Sequence, residues 1–484
     1  MSKMSNFSFQ QTPSNNTLRK IPILLCIIAF AFAISYALSK LGIIIGLTLL
    51  ILPFLMYFLY LLFTFPKFGL YSTVFMGFAA NGLTRYINAP LGLAIDAILV
   101  LTYLAIYFKK EKYEWAKAKN GLTYAAIIWM AYSFFQILNP EARSFEAWFY
   151  AMRGVSLYML LSIPLVFVLF DSKKDLDKFL HIWLIMSVLG TLVGIKQLVI
   201  GVDSFEQAWL DGGPGKQHIL FGKLRVFSFY SDAGQFGAAQ GHAMVVSMIL
   251  FLGKKLSLRR NIFYLVAFFL SLYGMMISGT RGAMAVPALG FMTYFLLSKN
   301  FRVFGAGIIA GAAVFVFLKF TTIAQGVYAV NRMRTALDPN DASLLVRLEN
   351  QRKLSAYLAS RPFGGGIGSA GSWGLRFSPN SFLAQTPTDS WFVKIWAEEG
   401  MIGLTLHLAI LFFIAIKAGI VLWKMPISPL RQKLIAIFSG MIGIYMASYG
   451  NGILGQMPTG ILMYIGWAFL FMKSEELERN LDDF

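Results

Sequence analysis

The chain has 484 residues, of which 57% are hydrophobic, 16% aromatic and only 13% charged. A soluble domain carries about a quarter of its residues as charges, so this composition excludes one and indicates a polytopic membrane protein. The formal net charge of +19 requires no nucleic acid, because most of it is lysine in short connections, where it orients helices and touches anionic lipid heads.

Apolar runs able to cross about 30 Å of hydrocarbon begin near Ile21, Gly42, Gly69, Leu91, Gly121, Met152, Leu180, Ala233, Ile262, Gly282, Arg302, Phe392, Leu434 and Ile453. They predict about fourteen (12–14) transmembrane helices and an all-α fold. Residues 29–33 superficially resemble a signal-peptidase site, but no soluble domain follows them, and the first run reads as an uncleaved anchor. The single cysteine, Cys26, lies within it, which excludes a disulfide framework or a cysteine metal site. The four histidines, His181, His218, His242 and His407, lack metal-ligand spacing, so neither a metal nor a cofactor is expected.

Lysine and arginine collect in every second connection: Arg19 and Lys20, Lys67, then 109–119, 173–178, 254–260, 299–302, 424–433 and Lys473. The positive-inside rule places these, and both termini, in the cytoplasm. The expected organisation is a cytoplasmic tail over 1–20, a helix bundle over 21–319, one large external loop over 320–390, C-terminal transmembrane helices over 391–472 and a cytoplasmic tail over 473–484.

Polar residues interrupt the apolar pattern at a few places. Arg153 lies two turns into a span after Trp148; an arginine in hydrocarbon costs ~2.5–3.5 kcal/mol on insertion scales, so it either meets an anion or snorkels to the interface. Arg225 precedes FSFYSDAGQFG at 227–237, which brings Asp232 and Gln235 near the outer surface as candidate sugar contacts. Arg281 stands in a tight turn, SGTRGAM at 278–284, between two apolar runs, and the same cost argument applies to it.

The loop over 320–390 is long for a connection between membrane helices, which marks it as functional. Lys319 at its edge and Arg332, Arg334, Arg347, Arg352, Lys353, Arg361 and Arg376 within it outnumber Asp338, Asp341, Glu349 and Asp389. This excess on the translocated side runs against the topology rule and points to an anionic ligand, with arginine favoured for bidentate phosphate recognition. Asp341 can cap a helix over 342–360 that Pro362 and the following glycines stop. Leu344, Leu345, Leu348, Leu354 and Leu358 share one face of it, and Arg347 falls among them, to be met by a structural carboxylate or by a ligand. Arg352 lies near the edge of that face, while Lys353 and Glu349 point to solvent.

The glycine run at 364–371 is either a nest for phosphate or a close-packed re-entrant turn. Thr388 and Asp389 then return the chain to the membrane. Asp389 is either the N-cap of the next helix or a general base beside an arginine-lined cleft. Glu398 and Glu399 lie deeper in that helix, with Lys394 four residues before Glu398 as its expected partner.

SGTRGAM, then RLENQRKLSAYLASRPFGGGIGSAG at 347–371 and TDSWFVKIWAEEGMIGL at 388–404, resemble the O-antigen ligase and Wzy-type polysaccharide polymerase superfamily. The resemblance implies a GT-C-like membrane glycosyltransferase of the bacterial plasma (inner) membrane. Its partners would be an undecaprenyl-diphosphate-linked glycan, an acceptor glycan, membrane lipids and a chain-length regulator. Arg281 and Arg347 match the family's two arginine positions and would meet the diphosphate charge, with Asp389 as base. Arg153, Arg225, Asp232, Gln235, Arg352 and Thr388 would be substrate-binding. Where ligases commonly have His-Asn, alignment on Glu398-Glu399-Gly400 places Asp389-Ser390, which moves the expectation from ligase toward polymerase. Ligation of a preassembled glycan is the enzymatic alternative. A flippase or transporter is the alternative from another class, although no internal repeat supports it.

Overall fold

The computed structural model of the protein describes residues 20–41, 43–87, 89–220, 222–253, 257–335 and 342–478. Its contacts fall into two units, Met1–Phe65 and Pro66–Phe484. In the first, the apolar helices Lys20–Leu41 and Ile43–Thr64 pack on one another.

The second unit is helical almost throughout, and its only strands among the described residues are the two-residue pair Ile219–Leu220 and Lys223–Leu224. Each predicted apolar run coincides with a helix. Among the described residues of the whole chain, seven helices are long and apolar enough to cross a membrane, and four further apolar helices are shorter. Ala233–Phe251 is absent from both groups for a physical reason: its Gln240, His242 and repeated glycines make it too polar to face lipid, and nearly all of it is buried. It packs against Lys173–Val199, Leu258–Ile277, Ala285–Leu297 and Pro429–Gly450, an arrangement in which small residues let helices approach closely.

The connections of this unit sort into two ends. At one end Lys67 bridges Asp171 at 2.9 Å and Asp175 at 2.8 Å, Lys433 pairs with Asp177, and Lys299 donates to the Trp423 carbonyl. At the other, Tyr86 donates to Asp203 at 2.6 Å, Arg225 to Thr280 at 2.9 Å, Asn139 to the Gly364 carbonyl at 3.2 Å, and Ser231 to Gln456 at 3.1 Å. These are the basic and the charge-poor connections of the alternating pattern, each set meeting its own kind. Arg85, in the second set, donates to the carbonyls of Ser228 and Tyr230 and lies 4.5 Å from the Trp209 ring and 4.4 Å from the Phe227 ring. Burial lowers its guanidinium to about 10.

The described residues between Phe320 and Trp391 lie at this second end. They contain the helices Tyr328–Thr335, Ala342–Leu358, Gly371–Phe377 and Phe382–Gln385. The predicted helix over 342–360 thus ends slightly early, at Leu358, and its proposed cap, Asp341, lies outside the described residues. The apolar face of this helix is divided. Leu354 and Leu358 are buried against Ala370, Leu383, Val393 and Ala397, whereas Leu344, Leu345 and Leu348 are exposed, contrary to the expectation of one continuous inward face.

Candidate functional site

The Trp391–Lys424 helix is interrupted at Gly400, where φ is 70° and ψ is −171°. The glycine run packs into that interruption. Gly365 N donates to Ala397 O at 2.9 Å, Gly366 N to Glu398 O at 2.8 Å, and Ile402 N to Pro362 O at 3.3 Å. The Glu398 carboxylate accepts from Ala370 N at 3.3 Å. Glu398 therefore takes a direct partner from the loop backbone, while Lys394, the partner the spacing predicted, acts on its charge from beyond salt-bridge distance. The glycine run is a re-entrant turn whose N–H groups serve the protein's own groups. Carbonyls left free on the far side are met by Asn139 and Gln136, which donate to Phe363 O at 3.0 Å and 3.1 Å, and by Tyr132, which donates to Glu399 O at 2.8 Å.

This docking holds the arginine helix against the start of the next one. Arg347 Nε lies 3.8 Å from Asp389 Oδ2, with both side chains part-exposed. The N-cap of the Trp391–Lys424 helix is Ser390, whose hydroxyl accepts from Val393 N at 3.4 Å. The alternative that Asp389 is the cap is thereby corrected. Asp389 instead adopts a positive φ of 42°, uncommon for a residue with a side chain, which turns its carboxylate to Arg347. The Arg281 turn reaches the same place: a Cβ built on Gly450 would lie 3.8 Å from Gly282 Cα and 3.9 Å from Arg347 Nη1. The Tyr328–Thr335 helix packs against this turn, with Met333 beside Ala283.

Two cavities flank the 388–390 segment. The smaller, about 40 Å3, runs along Arg347, Leu344, Leu348 and Tyr449. The larger, about 470 Å3, is lined by Tyr150, Arg153, Trp373, Lys394 and Gln456, among others. Thr388, Asp389 and Ser390 line both. The structure thus brings together Arg347, Asp389, Thr388 and the turn bearing Arg281, and sets Arg153 across the shared wall.

Arg153 does not snorkel. It is buried, with Nε 2.7 Å from Asp96 Oδ2 and Nη2 3.0 Å from the Tyr158 hydroxyl. Removing one member of such a pair strands the other, so Asp96→Ala is expected to destabilise the protein by about 3–5 kcal/mol, with much of the loss recovered in Asp96→Leu/Arg153→Met. Thermal unfolding in detergent measures both.

The remaining predicted contacts are placed elsewhere. Asp232 caps the Ala233–Phe251 helix by accepting from Gln235 N at 2.9 Å. Gln235 is buried, not near the surface as expected, because its amide turns inward to donate to Thr459 at 2.7 Å. Arg225 holds Thr280 and the Gln217 carbonyl, which braces the Arg281 turn. Arg352 is exposed and lines neither cavity. His218 is buried in its loop, where Nε2 accepts from Ala233 N at 3.2 Å, and desolvation pulls its pKa down. Sequence reasoning missed Tyr150, Trp373 and Gln456. Aromatics near a span end carry the same signal as an interfacial belt, so nothing distinguished them.

Residues 266–408, a little under a third of the chain, match the O-antigen ligase family model, Wzy_C. The match bears out the resemblance read from SGTRGAM and the two loop motifs, and the spans support an integral membrane protein with an O-antigen ligase-type segment. Arg281, Arg347 and Asp389 fall inside the matched segment, whereas Arg153, Arg225, Asp232 and Gln235 precede it. No curated protein matches the chain.

Proposed function

We propose that the protein polymerises undecaprenyl-diphosphate-linked oligosaccharide repeat units into a surface polysaccharide at the outer face of the plasma membrane. The observation that carries this reading is the 3.8 Å approach of Arg347 to Asp389, beside the turn that bears Arg281. A lipid diphosphate is a good leaving group when its developing charge is met by fixed cations, and two arginines supply that charge. Asp389 takes the proton of an acceptor hydroxyl as its oxygen bonds to the anomeric carbon. The bond from that carbon to the diphosphate oxygen breaks on the opposite face, so the configuration inverts and the carrier diphosphate leaves as the anion. Arg347 faces Asp389. A bound diphosphate competes for the arginine and leaves the carboxylate to the acceptor.

Liposomes containing the purified protein and a lipid-linked repeat unit test the reading. A ladder of lengthening products is expected. A single addition to a different lipid or protein acceptor would establish ligation, which the ligase description of the family model favours as the second reading. Movement of the carrier across the bilayer without change in glycan length would overturn both.

Asp389→Asn removes the base without touching the Ser390 cap. Its transfer rate is expected to fall about 10²–10⁴-fold at unchanged thermal stability. A loss of stability in place of activity would return Asp389 to a structural role.

A further inference from the structure

The larger cavity has a wall that neither the arginines nor the base explains. Tyr150 stands on the Phe145–Met152 helix and Trp373 on the Gly371–Phe377 helix of the loop. Their rings lie 5.0 Å apart with planes inclined by 15°, and Phe377 joins them at 5.9 Å and 11° from Tyr150. The Trp373 and Phe377 planes differ by 23° at 6.3 Å, so the three rings form one compact offset stack. The Arg376 guanidinium lies 5.2–5.9 Å from all three centroids. Of this group, Tyr150 and Trp373 line the cavity, and Arg376 and Phe377 stand behind them.

Close packing fixes the stack in place. A Cβ on Gly368 would come within 2.4 Å of Ala147 O, one turn before Tyr150, so the loop and the Phe145–Met152 helix meet with no room for a side chain. The charges identify the occupant. Arg153 is matched by Asp96 at 2.7 Å, so this side of the wall lacks the paired open arginines that a diphosphate demands. What faces the space is an aromatic surface with Lys394, Gln456 and Asp389 around it. An aromatic face is electronegative and suits the weakly positive axial C–H groups of a pyranose, while the hydroxyls of the ring edge need polar side chains.

We propose that Tyr150 and Trp373 form the acceptor-glycan subsite, which stacks a sugar ring so that a hydroxyl points at Asp389 from the side opposite Arg347. This rests on the polymerase reading for its donor side, since Thr388, Asp389 and Ser390 are the wall common to both cavities. The cavity of about 470 Å3 admits one or two sugar residues.

Two measurements on the full-length protein in detergent separate the inference from the function. The first is saturation-transfer NMR with oligosaccharides released by mild acid from the source cells' own surface polysaccharide. Signals seen with the wild type are expected to fall at least about fivefold in Trp373→Ala and Tyr150→Ala and to persist in Trp373→Tyr. Equal signals in all variants, or none with the wild type, would overturn the subsite whether or not transfer occurs. The second is the rate of transfer with donor and acceptor varied independently. Trp373→Ala is expected to raise the acceptor KM about tenfold or more at a nearly constant donor KM, a split that general loosening of the fold would not produce. A rise confined to the donor KM would reassign the stack to the carrier-linked glycan. A wild type that binds the oligosaccharides yet transfers nothing would defeat the polymerase reading and leave a glycan-binding cavity.

Discussion

Arg347→Ala is expected to insert and fold normally and to transfer glycan about 10²–10³-fold more slowly, the usual consequence of losing one fixed charge at a leaving group. The fold should survive because Arg347 contributes little to it: its contact with Asp389 spans 3.8 Å between part-exposed groups, and exposed pairs contribute about 0–1 kcal/mol. Arg281→Ala should lose a comparable factor. The double variant should fall short of the product of the two, because both arginines act on one developing charge. Arg347→Lys should recover only part of the rate, since an ammonium cannot present two parallel donors to a phosphate. Lys353→Ala provides a control on the same helix, where the lysine lies 3.9 Å from Glu349 and is exposed to solvent. Single-turnover transfer with purified variants measures these rates. A fully active Arg347→Ala would remove the proposed mechanism.

Gly400→Ala is expected to prevent accumulation of folded protein. A Cβ there would lie 2.0 Å from Pro362 O and 2.4 Å from Gly364 N, both backbone atoms with no side chain to yield. The backbone at φ 70° and ψ −171° also belongs to a region open essentially to glycine alone. Strain and collision together exceed several kcal/mol, comparable to the whole stability of many domains. Gly364→Ala should fail in the same way, because its φ is 73° and its Cβ would meet Gly400 N at 2.4 Å. Size-exclusion profiles and protease resistance of the membrane-extracted variants provide the measurement. A monodisperse, protease-resistant Gly400→Ala protein would show that the interruption is dispensable.

The sequence made some of this visible and hid the rest for identifiable reasons. The helix bearing Arg347 was legible to within two residues because leucine spacing and Pro362 are local signals. The alternation of basic connections foretold which of them would meet, because charge is sorted by side. The partnership of Arg347 with Asp389 was not legible as a contact. It depends on a loop that folds back through Pro362 and Gly400, and no local rule specifies that path. Gly400 itself gave no warning, since one glycine in a long apolar helix is ordinarily tolerated; its interruption is made by a carbonyl from Pro362, far away in the chain. Arg153 was correctly marked as needing an anion, but Asp96, in a span of its own, went unrecognised as the partner. Gln235 shows the converse: its place at the start of a helix told nothing of which way the side chain turns, and Thr459 decided it.

The seat of the glycine run in the Gly400 interruption has a further consequence, for the entropy of the reaction. From Pro362 to Gly371 the loop is tied to the Trp391–Lys424 helix and to Asn139 by backbone and amide hydrogen bonds, and Leu354 and Leu358 anchor the arginine helix to the same helix. Such a segment cannot behave as a cover that closes over each substrate in turn. The freedom surrendered to bring Arg347 opposite Asp389 is lost once, when the chain folds, and the charges stand in position before any sugar arrives. In the proposed reaction the backbone that carries these groups needs no reordering, and only the Arg347 side chain exchanges Asp389 for the diphosphate, so the barrier contains little contribution from ordering the protein.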